Sequence, residues 1–207
     1  MADQQTLKHY ETNAREYVEA YRDAEVSRQQ ALILEHFHAH GRTLDVGCAS
    51  GRDLRWLTER GFQAEGLDAV SGFVERCRAQ HPSLKIYHDV LPALPESLGA
   101  QATHDLEGRY DNLLISATLM HLPREELEGA LRQLRRLVRD GGRALISVRP
   151  ARAEGADTRR EGDRLFTPLS EDELTEALSG VGWRVRMSEQ RAEDEQGKRW
   201  LTVIVER

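Results

Sequence analysis

Asp45, Gly47, Gly51 and Asp68 are the residues of this chain whose types and spacing promise chemistry. The run Leu44-Asp45-Val46-Gly47-Cys48-Ala49-Ser50-Gly51 joins a short apolar stretch to a turn of small residues, which lets a ligand approach the backbone closely. Asp68 falls 17 residues beyond Gly51, at the end of the next apolar stretch, where its carboxylate can accept from both hydroxyls of a ribose. The pattern therefore points to an adenosine-bearing ligand. A dinucleotide fits poorly, because its pyrophosphate asks for G-x-G-x-x-G, whereas Gly47 and Gly51 are separated by three residues and follow a carboxylate. A carboxylate there suits a cationic ligand.

Further along, His121 in Leu119-Met120-His121-Leu122-Pro123 is the candidate general base for an acceptor that carries a proton. A histidine near a proline more often packs or caps than it takes a proton. Tyr10, Tyr17 and Tyr21 either cover a cofactor with phenol and ring face or merely pack their helix onto the core. Arg149, Arg152, Arg159, Arg160 and Arg164 are candidates to meet an anionic group on a substrate, Arg149 and Arg164 foremost. Glu154, Asp157, Glu161 and Asp163 offset them, as on an ordinary solvated face.

These residues need a scaffold, and the apolar spacing supplies one. Tyr10, Ala14, Tyr17, Val18 and Tyr21 predict one N-terminal helix, and a second runs from about Ala24 to His40 with Leu32, Ile33 and Phe37 inward. Strands are expected at residues 43–46, 62–68, 84–89, 111–117 and 143–149. Helices are expected between them: one stopped by Gly61, one over 71–80 capped by Ser71, and one through Leu127–Val138 with Pro123 in its first turn and a left-handed exit at Gly141-Gly142. Residues 90–109 read as a loop with one short helical turn, and 150–166 as a long functional loop. Ser170 and Glu173 form a capping box, and Trp183–Met187 pairs with Trp200–Val205 as a hairpin across the polar turn 192–197. Strands that alternate with helices demand a mostly parallel α/β sheet, to which the hairpin adds one antiparallel strand.

The chain from about residue 10 to 207 resembles the class I S-adenosylmethionine-dependent methyltransferases. Asp45-Val46-Gly47-Cys48-Ala49-Ser50-Gly51 stands where they carry D-x-G-x-G-x-G, and Gly66-Leu67-Asp68, His88-Asp89-Val90, Tyr110–Ala117 and Leu137-Val138-Arg139-Asp140-Gly141-Gly142-Arg143 match their later elements. The resemblance implies a three-layer α/β/α Rossmann-like sandwich on a mostly parallel seven-stranded sheet with an antiparallel C-terminal hairpin strand. It implies S-adenosylmethionine as cofactor, S-adenosylhomocysteine as product, and direct in-line transfer with donor and acceptor held about 3 to 3.5 Å apart. Asp45 and Gly47 would border the methionine, Asp68 would hold the ribose, Asp89 with Val90 would flank the adenine, and Cys48, Ala49, Gly51 and Ala69 would also line the cofactor. Ser116 would begin the segment beside the methionine, and Tyr10 and Tyr17 would cover the cofactor. Tyr21, His121, Arg149 and Arg164 are the acceptor-side candidates. Two departures stand out: Ala49 replaces the middle glycine, and Asp140 replaces the proline before Gly-Gly.

Composition narrows the field. At 207 residues and 39% hydrophobic, the chain suits one domain, with residues 1–40 as a lid, 41–150 as the cofactor-binding core and 151–207 as the acceptor side. A net charge of -6 carries no basic excess for nucleic acid. The [DNS]-P-P-[YFW] segment of base-amine methylation, and the Pro-Cys of cytosine methylation, are missing after strand four. Cys48 and Cys77 read as reduced, with no metal cluster, and cannot serve as the arsenite-methylating members' several cysteines do. With no apolar signal core and no run of roughly 20 apolar residues, a cytoplasmic enzyme is expected, as monomer or homodimer. A small organic acceptor leads, a protein or peptide follows, and a non-catalytic sensor or a nicotinamide oxidoreductase are the competing classes.

Overall fold

The computed structural model describes residues 3–22, 26–91, 107–151, 159–191 and 199–207. Its elements in chain order are α1 Gln4–Thr12, α2 Ala14–Arg22, α3 Ser27–His36, β1 Arg42–Val46, α4 Arg52–Glu59, β2 Gln63–Asp68, α5 Ser71–Gln80 and β3 Lys85–His88. After these come β4 Tyr110–Ser116, a 3-10 turn at Leu119–His121, α6 Arg124–Leu137, β5 Val138–Val148, β6 Arg159–Glu161 and β7 Arg164–Phe166. Helix α7 Glu171–Gly180 and strands β8 Arg184–Arg191 and β9 Trp200–Glu206 finish the chain.

Seven strands form one sheet in the order β3-β2-β1-β4-β5-β9-β8. Pairing is parallel from β3 through β5, and β9 runs antiparallel between β5 and β8. The alternation of side chains along each strand explains the layers. In β4, Leu113 and Ile115 face a core shared with Leu127, Leu131, Leu134 of α6 and Leu174, Leu178 of α7. Leu114 points the other way, with Leu145 and Ile204, against Leu32 and Ile33 of α3 and Leu57 of α4. Helix α5 joins that second layer through Val74 and Cys77, which pack on Leu54 and Ile86. The result is the expected three-layer Rossmann-like sandwich, and its order brings the carboxyl ends of β1, β2 and β4 together.

Several local expectations need correction. The N-terminal aromatic stripe lies on two helices, because Asn13 leaves helical geometry (φ -109°, ψ 18°) and its amide donates to the His9 carbonyl at 2.8 Å. Helix α3 starts at Ser27 and stops at His36, with Phe37 extended; the expected start at Ala24 lies outside the described residues. Ser71 does not cap α5: Val70 is the cap residue, and the Ser71 hydroxyl donates to Glu11 at 2.7 Å. Pro123 is the N-cap of α6 rather than a first-turn residue. Helix α6 ends at Val138 in extended geometry, and Gly141 (φ +71°) lies inside β5 instead of closing the helix. The segment expected to be one long loop contains the β6–β7 hairpin, reversed at Gly162 (φ +61°). The Ser170–Glu173 capping box is present in both directions. The expected helical turn within 90–109 and the polar turn 192–197 fall on residues 92–106 and 192–198, outside the described residues.

Candidate active site

The β1 turn is built on three positive φ angles at alternate residues: Gly47 (+82°), Ala49 (+41°) and Gly51 (+75°). Those are the positions at which D-x-G-x-G-x-G carries glycine, so Ala49 adopts a glycine conformation without being one. Gly47 has a second reason for its type: a Cβ there would stand 2.1 Å from Thr118 Oγ1. The Gly47 and Cys48 amides both donate to the Leu67 carbonyl, at 2.7 and 3.1 Å, which ties the turn to β2. Cys48 turns its side chain into the core, toward Gly66 and Cys77, leaving only its backbone for a ligand. Both cysteines are buried and free.

Asp45 is 2% exposed, and its Oδ2 has no hydrogen-bond partner among the described residues. Burial pushes its pKa well up, the Asp53 and Asp68 charges add to that, and Arg52 opposes. An orphaned buried carboxylate oxygen fits a ligand ammonium, which would relieve the same penalty. Asp68 is also buried, but each of its oxygens has a partner. Its Oδ2 accepts from the Ala49 amide at 2.8 Å and its Oδ1 from Val70 at 2.9 Å. Burial raises it to about 6 against the pull of these amides. A carboxylate has about four lone-pair sites, so the two left over can still meet ribose hydroxyls. Ala69 turns its carbonyl to His88 at 3.1 Å. Asp89 follows β3 with its amide on the Asp68 carbonyl at 3.0 Å, and the Val90 amide donates to the Asp89 carboxylate at 2.7 Å.

Ser116 ends β4 beside this turn, and Ala117 after it is another non-glycine residue at positive φ (+57°). The Ser116 hydroxyl donates to Gln29 at 2.8 Å and meets Ser147 at 3.1 Å. The Gln29 amide donates in turn to Asp53 at 3.2 Å, and Asp53 is paired with Arg52 at 2.7 Å. Thr118 closes the gap between the two turns by donating to the Val46 carbonyl at 2.9 Å. Sequence reasoning passed over Gln29, Arg52, Asp53 and Thr118. Only Arg52-Asp53, directly after Gly51, offered a signal; Gln29 is a lone polar residue in a helix.

Above the turns, α1, α2 and the β6–β7 hairpin bring together the acceptor-side candidates. The Tyr10 hydroxyl meets His121 Nε2 at 3.1 Å, and His121 Nδ1 lies 2.7 Å from the Leu165 carbonyl. That carbonyl can only accept, so Nδ1 carries the proton and Nε2 accepts from Tyr10. Burial holds the His121 pKa down at about 4. Tyr10 packs on Tyr17 (4.9 Å between ring centroids) and Phe73 (5.9 Å), Tyr17 packs on Tyr21 (5.4 Å), and His121 packs on Phe166 (4.9 Å). Arg149 and Arg164 lie over the Phe166 ring at 5.1 and 5.2 Å, and Arg164 also over Tyr17 at 5.8 Å. Glu161 lies within 4 Å of Arg149, Arg159 and Arg164, while Arg160 turns away to Asp3 at 2.7 Å. Arg152 lies outside the described residues. Tyr10 and Tyr17 reach the cofactor turn through a shared apolar cluster with Ala49 and Val70. No group of three or more potential metal ligands occurs among the described residues.

A sheet of this order with a glycine-type turn on β1 and an acid ending β2 defines an adenosine-binding α/β protein. The family model of the methyltransferase domain matches residues 17–188, and the chain belongs to that family. Among curated relatives, it is 27% identical over 150 residues to 2-heptyl-1-hydroxyquinolin-4(1H)-one methyltransferase of Mycobacteroides abscessus. That match spans 71% of this chain and 61% of the relative's length. Among solved structures, 1,6-didemethyltoxoflavin-N1-methyltransferase of Burkholderia thailandensis, with S-adenosylhomocysteine and 1,6-didemethyltoxoflavin bound, superposes with a TM-score of 0.81. It is 19% identical, and the match covers 98% of this chain and 87% of that one. The [4+2]-cyclase SpnF shares the fold at a TM-score of 0.77 and 15% identity, with 100% and 96% covered.

Proposed function

We propose that the protein transfers the methyl group of S-adenosylmethionine to a small organic molecule. The observation that carries the reading is the β1 turn, with its three positive-φ residues, the unpartnered oxygen of Asp45 and the two spare lone-pair sites of Asp68. The cofactor supplies an electrophilic methyl group on a sulfonium. In this reading Asp45 receives the ammonium, Gly47, Cys48, Ala49 and Gly51 border the methionine with their backbone, and Ser116 lines its far side. Asp68 and Ala69 hold the ribose, and Asp89 and Val90 flank the adenine. Residues 1–40 act as a lid, with Tyr10 and Tyr17 excluding water above the turn. The chain is a single functional domain.

A small acceptor is supported by the names of the two methyltransferase relatives and by the aromatic rings that surround His121. Tyr21, Arg149 and Arg164 line the acceptor side. His121 is neutral at pH 7 with Nε2 accepting from Tyr10, and a proton made acidic by methylation of the acceptor would pass to the Tyr10 oxygen as the Tyr10 proton moves to Nε2. Among the described residues no helix is long and apolar enough to cross a membrane.

Calorimetric titration of S-adenosylmethionine and S-adenosylhomocysteine, with NADH as control, tests the cofactor. Both sulfur ligands should bind and NADH should not. Asp68→Ala should weaken binding by roughly 1 to 3 kcal/mol, since a charged acceptor is lost from a buried ribose. No binding by wild-type protein would overturn the reading, and binding with no label transferred to any acceptor in a small-molecule screen would favour a sensor or, like the cyclase of the same fold, different chemistry.

A further inference from the structure

A cavity of about 310 Å³ lies between α2, the start of α4 and the end of α5. None of Asp45, Gly47, Asp68 and Ser116 lines it. Four arginines do, Arg15, Arg52, Arg55 and Arg76, with His81 and a single carboxylate, Glu19. Three of the arginines have a carboxylate each: Arg15 with Glu19 at 3.2 Å, Arg52 with Asp53 at 2.7 Å and Arg55 with Glu59 at 3.6 Å. Arg52 is engaged at all three nitrogens, two on Asp53 and one on the Tyr21 carbonyl, whereas the pairs of Arg15 and Arg55 leave most of the five donors on each guanidinium free. Arg76 has no carboxylate among the described residues, and the side chains of Ser50, Gln80 and His81 have no hydrogen-bond partner there either. Ser50 is 7% exposed, so its hydroxyl sits in the cavity wall rather than in open solvent. The first turn of α4 lines the same wall, and its N-cap, Gly51, offers no side-chain acceptor, so the positive end of the helix adds to the field.

An ordinary solvated face spreads its cations; here Arg76, which has no carboxylate among the described residues, and the spare donors of three paired arginines converge on one concavity. Its volume is at the small end of ligand pockets, which run from roughly 300 to 1,000 Å³. Several forked guanidiniums around a small space match the oxygen-rich, multiply charged surface of linked phosphates better than a single carboxylate. We propose that this cavity binds a diphosphate group, and that the bound anion clips α2 to α4 and α5. Arg15 comes from α2 and the other three arginines from α4 and α5, so one ligand would bridge the lid helix and the core. The site does not depend on the methyl-transfer reading.

The test is calorimetry on the full chain in phosphate-free buffer with two probes, inorganic pyrophosphate and ADP, using wild-type protein and the double variant Arg55→Ala/Arg76→Ala. Arg55 is 53% exposed and neither residue touches Asp45 or Asp68, so the variant should melt with the wild type and bind S-adenosylhomocysteine equally well. Wild-type protein should bind pyrophosphate with one site, and the variant about tenfold or more weakly. Equal affinity for ADP would mean that the diphosphate alone is recognised; tenfold tighter ADP would identify a nucleoside diphosphate as the ligand. Amide exchange over residues 14–22 should slow when pyrophosphate binds. Absence of binding by both probes, or equal binding by the variant, would overturn the site, and unchanged exchange in α2 would overturn the clip.

Discussion

At the scale of single residues, the site is held by conformations that most side chains avoid. Ala49 at φ +41° and Ala117 at φ +57° sit on the two turns that follow β1 and β4. Strain of this kind persists where surrounding contacts over-determine it, and here the Ala49 amide is pinned by Asp68. Glycine at position 49 would remove a left-handed penalty of roughly 1 to 2 kcal/mol, against roughly 0.4 to 1 kcal/mol of extra chain entropy in the unfolded state. The first effect is the larger, so Ala49→Gly should raise stability by up to about 1 kcal/mol, read as a higher urea midpoint at unchanged slope. A lower midpoint would mean that the Ala49 methyl, packed with Val70, is worth more than the strain. The residue scale is also where the sequence was least informative. Asp45 and Asp68 stand out by spacing, but nothing in the order of residues announces that Gln29 will bridge Ser116 to Asp53 or that Thr118 will forbid a side chain at Gly47. Those contacts join residues far apart in the chain, and only the fold makes them neighbours.

At the scale of elements, strands and buried helices were legible because their apolar periods are strong, and the elements that cover the site were not. The β6–β7 hairpin carries charge at five of its eight residues and is held by long-range pairs, so its sequence looks like a loop. The break between α1 and α2 was hidden by an aromatic spacing that runs straight across Asn13. Among the contacts that join this cover to α1, one is a buried polar contact. The Leu165 amide of β7 donates to the Thr6 hydroxyl of α1 at 2.7 Å, and Thr6 donates in turn to Asp3 at 2.7 Å. Thr6 is 3% exposed, so water cannot replace it. Thr6→Val keeps the shape and orphans the amide, at a cost of roughly 1 to 3 kcal/mol. Because Leu165 also orients His121, the loss should appear locally: faster amide exchange over residues 4–12 and 164–166, with the sheet unchanged. Exchange that rises uniformly across the molecule would show that α1, the hairpin and the sheet unfold as one unit.

At the scale of the whole molecule, the groups that define the site set opposing responses to acid. The native protein resists protonation of His121 down to about pH 4, whereas an unfolded histidine accepts a proton near 6.5. Stability from this group is therefore complete above pH 6.5 and is lost as pH falls to 4, by roughly 2 to 3 kcal/mol. Asp68 works in the opposite sense, since it protonates at about 6 in the native protein but at 3.8 unfolded, so acidification over that window adds stability. The raised pKa of Asp45 acts in the same direction as Asp68. The wild-type curve between pH 6.5 and 4 should thus be flatter than either group alone would make it. His121→Asn removes one arm of this balance. Its packing loss with Tyr10 and Phe166 shifts the whole curve by a constant, and only the slope carries the titration. Unfolding free energies from urea melts at intervals across pH 7 to 4 should show the variant gaining on the wild type by roughly 2 kcal/mol as pH falls. Parallel curves would mean that His121 titrates normally in the folded protein and that the Tyr10–His121–Leu165 arrangement opens in solution.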